Sequence, residues 1–195
     1  MDLSPGQAAE SLKEIERTQR RSVEVHDYAN AAPGFVIWGL IWMFGYAGSY
    51  LLPNYGFSHG INWLWFGLVV LGITASAVIG RRQHRAQHPG EAARGRGIGA
   101  RWIASLAAFW VFVIAVMAVM RPVNPAVSGA FIPLVVALVY ALFGIWRGLR
   151  FLLAGIAVAA LTLVGWFWLP EYFLPWMAAV GGGSLVLTGL WLRKV

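Results

Sequence analysis

Residues Trp38–Tyr50 read WGLIWMFGYAGSY and contain no charged side chain. Aromatic residues recur here at every fourth position: Trp38, Trp42, Tyr46 and Tyr50. Side chains four apart lie on nearly the same face of a helix, so the pattern predicts an aromatic stripe along a helix. We call these four residues the aromatic stripe. An uncharged helix of this kind is typical of a membrane span.

The composition of the whole chain supports a membrane protein. Of its 195 residues, 59% are hydrophobic and 12% are charged, against roughly 25% charged in an ordinary soluble domain. The chain has no cysteine, which excludes disulfides and thiolate chemistry. Its net charge of +7 could indicate nucleic-acid binding, but a membrane protein also collects basic residues on its cytoplasmic side. We therefore expect no nucleic-acid partner.

Six stretches are long and apolar enough to cross a bilayer, which takes about 20 residues. They cover residues 34–52, 61–80, 102–120, 126–146, 151–169 and 172–192, and none contains Asp, Glu, Lys, Arg or His. Spanning strands would alternate polar and apolar residues, and these stretches do not. The sequence predicts an all-α integral membrane protein: a bundle of six transmembrane helices, 33–195, arranged as three hairpins. Residues 1–32 are predicted to form a separate cytoplasmic amphipathic helix.

The basic residues fix the predicted orientation. All of the 15 basic residues except Arg121 fall before the first span, between the second and third, between the fourth and fifth, or after the sixth. Lysine and arginine concentrate in cytoplasmic loops, so both termini are predicted to be cytoplasmic. The expected location is the inner, or plasma, membrane of a bacterium. Tryptophans near the ends of spans, Trp65 and Trp191 among them, are interpreted as interfacial anchors.

Small residues and a proline predict how the helices pack. In the sixth span both Ala178 with Gly182 and Ala179 with Gly183 have the spacing that allows two backbones to approach closely. One small-residue face could also join two copies of the chain in a homo-oligomer. Pro133 in the fourth span removes one backbone hydrogen bond.

Two basic segments carry most of the charge. The N-terminal helix has a short apolar stripe with charged residues opposite it, and the predicted loop 81–101 is rich in arginine. Either segment could contact anionic headgroups or a cytoplasmic protein partner. The candidate surface residues are Lys13, Arg17, Arg20, Arg21, Arg81, Arg82 and Arg85.

The sequence offers little for catalysis. No ionisable residue lies in the six spans, and no catalytic or nucleotide-binding motif is present. His84 and His88 would share a face if the second span continued as a helix, but two histidines without further ligands do not make a metal site. On the far side His59, Arg121 and Glu171 could serve an enzyme only if they met. We predict a protein that is not an enzyme and has no cofactor and no metal.

The aromatic stripe has two interpretations. Packing within the bundle is the more frequent role of such a pattern. The alternative is a cleft lined by Trp38, Trp42, Tyr46, Tyr50 and Trp110 that holds an apolar molecule such as a lipid, quinone or drug. In that case the protein would be a carrier or binder.

After the charged helix, residues 28–46 read YANAAPGFVIWGLIWMFGY, an arrangement similar to that of small bacterial membrane proteins with six helices. The resemblance carries no catalytic motif and implies no activity. The functional hypothesis is an interaction or regulatory module whose N-terminal helix and basic loop contact a partner or anionic lipid.

Overall fold

The computed structural model describes residues 5–57, 59–85, 89–120 and 125–194, and these residues form helices and short turns without a strand. The long helices are α1 (Pro5–Leu51), α2 (Gly60–Arg85), α3 (Pro89–Met120), α4 (Pro125–Arg147) and α5 (Leu149–Trp168). A 3₁₀ helix, Leu52–Tyr55, follows α1. The last span runs from Phe173 to Leu192. It consists of α6 (Phe173–Trp176), a π-helix (Met177–Gly182) and α7 (Gly183–Leu192).

Five helices of the described chain are long and apolar enough to cross a membrane: α1, α2, α4, α5 and the last span. The predicted third span, residues 102–120, lies within α3, and its fully described apolar part is Ala107–Met120. The all-helical architecture is thus confirmed, and the sixth crossing stays a prediction.

Helix α1 joins the two segments that the sequence analysis treats as separate. It is one helix of 47 residues, and Pro33 lies inside it. At 1.5 Å per residue it is about 70 Å long, more than twice the thickness of the hydrocarbon core. Its N-terminal part, residues 5–32, therefore extends beyond the apolar segment, and we call this part the stalk.

The prediction of a loop over residues 81–101 is wrong for most of its length. Helix α2 continues to Arg85 and α3 already begins at Pro89. Proline is well suited to the first position of a helix because the backbone N–H it lacks has no partner there. The glycines of this segment lie inside α3.

The core forms around α1, which packs on α2 and on the last span, while α4 and α5 form an antiparallel pair. α1 and the last span approach at backbone level: a Cβ added to Gly39 would lie 2.8 Å from the carbonyl oxygen of Gly182. A Cβ added to Gly189 would lie 2.8 Å from the carbonyl oxygen of Ala32. Among the described residues, α3 makes at most sparse contact with the other helices.

Candidate functional site

The middle of the aromatic stripe lies in the protein core. Trp42 is 6% exposed and Tyr46 is 3% exposed. Their rings meet edge to face with centroids 6.1 Å apart, and the Tyr46 ring meets Trp65 of α2 in the same way at 5.3 Å. Such edge-to-face contacts are favourable because the positive edge of one ring faces the negative face of the other. These two stripe residues have the contacts expected of packing.

Tyr46 also makes a polar contact across the core. Its hydroxyl donates a hydrogen bond of 2.6 Å to the carbonyl oxygen of Gly129 in α4. In a regular helix that carbonyl would accept from the N–H of the residue four positions on, which is Pro133 and has no N–H. Proline is tolerated in spanning helices when a neighbouring group satisfies the freed carbonyl. Tyr46 of α1 is the group that satisfies this carbonyl of α4.

Trp65 belongs to the same cluster, which differs from its predicted role as an interfacial anchor. Its indole nitrogen donates to Ser49 Oγ at 2.9 Å, and Ser49 in turn donates to the carbonyl oxygen of Gly45 at 2.8 Å. The ring lies directly on Gly45, where an added Cβ would come within 2.6 Å of the Trp65 ring. The glycine thus provides the space in which the indole reaches Ser49.

The remaining predicted ligand residues differ in their burial and in the helices that carry them. Trp38 is partly buried and packs on α2 beside Gly72, whereas Tyr50 is 39% exposed. Trp110 lies on α3, and its ring contact is with the adjacent Phe109. The ligand-binding role of the five residues stays a prediction.

The predicted surface residues are partly described. Lys13, Arg17 and Arg21 are exposed on the stalk, and Arg81 and Arg82 are exposed at the end of α2. The side chains of Arg20 and Arg85 lie outside the described part of the structure, as does the whole of His88. Three apolar side chains of the stalk are also largely exposed: Leu12, Ile15 and Val23.

Two arginines, Arg147 and Arg150, attach the base of the stalk to the bundle. In the sequence their positions indicate only the orientation of the chain in the membrane. Arg147, at the end of α4, donates from Nη1 to Asp27 Oδ2 of the stalk at 2.6 Å. The guanidinium of Arg150 lies 5.4 Å from the ring centroid of Tyr28 and 4.6 Å from that of Trp191. It also donates to the Trp191 carbonyl oxygen at 3.0 Å. These contacts connect α1, α5 and the last span.

Helix α2 is attached at the same level. The side-chain nitrogen of Gln83 donates to the Asn30 carbonyl oxygen at 3.1 Å. Asn30 lies three residues before Pro33, where the proline interrupts the hydrogen-bond ladder of α1. A side chain from the neighbouring helix thus supports the stalk near its proline.

An open cleft of about 980 Å³ lies between the stalk and the turn that joins α4 to α5. The stalk contributes Glu16, Gln19, Val23 and Asp27, which follow one face of the helix at spacings of three and four residues. The turn contributes apolar side chains and Arg147: its lining residues are Gly144, Ile145, Trp146, Arg147, Gly148, Leu149 and Leu152. No signal in the sequence brings these two segments together, since they are more than 100 positions apart.

These features define a class: an all-helical bundle with the proportions of a multi-pass membrane protein, with a long helix projecting from one end. No family model matches the chain, and neither a curated protein nor a solved structure shows detectable similarity to it.

Proposed function

We propose that this chain is a non-enzymatic, multi-pass protein of a bacterial inner membrane that binds a cytoplasmic protein partner through its stalk. In this proposal the chain crosses the membrane six times and both termini are cytoplasmic, as the distribution of basic residues indicates. The observation that supports it best is the stalk itself, a helix held at its base and exposed at every described side chain from Glu10 to Val23.

The stalk has the chemistry of a helix that binds in a groove. Leu12 is 60% exposed and Ile15 is 55% exposed, although both are large apolar side chains. A partner groove that buried them would gain roughly 1.5–3 kcal/mol for each. Helices recognised in this way present apolar anchors three or four residues apart. Lys13, Arg17 and Arg21 would then contact acidic groups at the rim of the groove.

A rigid base favours this role. The Asp27–Arg147 ion pair and the contacts of Arg150 hold the base of the stalk against the bundle. A preformed helix loses less conformational entropy on binding than a segment that must first fold.

The test is photo-crosslinking in native membranes. A benzophenone side chain replaces Leu12 in one variant of the full chain and Glu10 in the control; both positions are exposed on the stalk. We expect one discrete protein adduct at position 12 that is weak at position 10 and disappears with Ile15→Asp. Adducts with lipid alone would contradict the proposal. An adduct with a second copy of the chain would show that the stalk binds another copy of this protein and not a different one.

A further inference from the structure

The floor of the cleft beside the stalk is the turn between two helices that are each long and apolar enough to span a membrane. One helix that is long and apolar enough to span the membrane ends at Arg147, and the next begins at Leu149. The turn between them must therefore lie near the surface of the bilayer if both helices cross it. The wall of the cleft is the stalk, which continues beyond that surface.

The floor of the cleft is apolar and exposed. Ile145 is 66% exposed, Trp146 is 86% exposed and Leu149 is 62% exposed. From the floor, exposed apolar residues continue along α4 through Leu142 and along α5 through Leu153. These residues follow each other at helical spacing, so they form two strips that a bilayer would cover with acyl chains.

The polar part of the cleft contains both signs of charge. Arg147 donates to Asp27 through Nη1, and among the described residues Nε and Nη2 of Arg147 have no hydrogen-bond acceptor. The Arg147 side chain is 46% exposed and that of Asp27 is 24% exposed, so both remain accessible. Gln19 and Glu16 continue the polar wall along the stalk. The cleft thus offers guanidinium donors beside carboxylate acceptors.

We propose that this cleft binds one phospholipid whose headgroup carries a primary amine. The phosphate accepts hydrogen bonds from Nε and Nη2 of Arg147, and the ammonium donates to the carboxylate of Asp27. The acyl chains lie on the strips that begin at Ile145 and Leu149.

The charges select this headgroup over other ligands. A headgroup with a phosphate but no cation would leave the carboxylates of Asp27 and Glu16 facing an anion. A quaternary ammonium has no N–H to donate to them. A basic peptide would match the carboxylates, but it would place backbone polar groups on an apolar floor at membrane level, where unsatisfied groups are costly. The site does not depend on the partner proposed for the stalk.

The experiment uses the full chain in bilayer discs with equal amounts of phosphatidylethanolamine, phosphatidylcholine and phosphatidylglycerol of identical acyl chains. Native mass spectrometry after release from the disc measures which lipid stays bound. We expect one retained phosphatidylethanolamine, at least fivefold over each competitor. Retention in proportion to the mixture, or a preference for phosphatidylglycerol, would overturn the proposal. Binding of a basic peptide to the cleft, with none of the three lipids retained, would overturn the proposal as well.

Two substitutions test the contacts of the phosphate and of the ammonium separately. Arg147→Lys keeps a charge for Asp27 but lacks the second nitrogen for a phosphate, so retention of the lipid should fall severalfold. Asp27→Asn should abolish the preference over phosphatidylcholine while total lipid retention changes less. Arg193→Lys is the matched control, because Arg193 is exposed at the end of the last span outside the cleft.

A folding defect is distinguished by a second variant. Trp146→Ala removes a side chain that is almost fully exposed, so the melting temperature should change little. If the lipid binds on this floor, its retention must nevertheless fall at least twofold. Unchanged retention in both Trp146→Ala and Arg147→Lys would exclude the site.

Discussion

Tyr46 is the residue whose role changes most between sequence and structure. Its place in the aromatic stripe suggests either packing or a ligand, and the structure gives it a specific task in the helix next to it. The hydroxyl donates to the Gly129 carbonyl, whose usual donor is missing at Pro133. The sequence predicts the loss of that donor at Pro133, but it cannot predict which side chain, 83 positions away, replaces it.

A double-mutant cycle tests this role. Tyr46→Phe should lower the free energy of unfolding by about 1–2 kcal/mol, because a buried carbonyl loses its donor. In a Pro133→Ala background the helix supplies its own N–H to Gly129, so the same change should cost clearly less. Reversible unfolding in mixed micelles measures all four proteins. Equal costs in both backgrounds would show that the hydroxyl serves another purpose.

A substitution of Trp42 distinguishes the packing role of the aromatic stripe from a ligand-binding role. Since Trp42 is 6% exposed and meets the Tyr46 ring, Trp42→Ala should leave a cavity and lower stability by about 3 kcal/mol. The measurement is the unfolding midpoint together with the mass of any small molecule that copurifies. Loss of a defined apolar molecule at unchanged stability would instead establish the stripe as a binding site.

At the scale of elements, the contact between α1 and the last span depends on which small residues face inward. The sequence offers two equivalent pairs, Ala178 with Gly182 and Ala179 with Gly183. The structure uses the first: Ala178 and Gly182 are buried, whereas Ala179 is exposed. The π-helix Met177–Gly182 changes the rotation of the chain along this span, and helical spacing alone does not reveal such a local widening.

Two neighbouring glycines give a matched test of this contact. A Cβ at Gly182 would lie 2.8 Å from the Gly39 carbonyl oxygen, while a Cβ at Gly183 would meet nothing within 4 Å. Gly182→Ala should therefore destabilise the protein by about 1–3 kcal/mol through forced separation of the helices. Gly183→Ala should be neutral or slightly stabilising, since alanine favours a helix over glycine. Thermal unfolding in detergent compares the two, and equal effects would contradict the packing described for α1.

At the scale of the whole molecule, the number of crossings decides whether the two termini lie on the same side of the membrane. Apolar stretches in the sequence predict helices well, and five of the predicted spans coincide with helices of sufficient length. The third predicted span, residues 102–120, lies wholly within α3, and its crossing stays a prediction. Hydropathy gives the existence of such a helix more reliably than its ends or its neighbours.

Cysteine labelling tests the orientation without background, because the chain has no cysteine. Lys13→Cys and Lys194→Cys should both react with an impermeant reagent only after the cytoplasmic side is opened. Tyr55→Cys, in the exposed turn after α1, should react in intact cells. Six crossings place the two termini on the same side. Termini on opposite sides would show that α3 does not cross and would limit the chain to five spans.

The course of α1 through Pro33 as a single helix has a mechanical consequence. The stalk is about 40 Å long by the rise of a helix, and the same rod continues between α2 and the last span. A sideways force at the tip therefore acts as on a lever arm, with its fulcrum at the Asp27–Arg147 pair. Tilting of a helix that stayed straight through Pro33 would displace Tyr46 relative to α4, so a load on the stalk would strain the middle of the bundle.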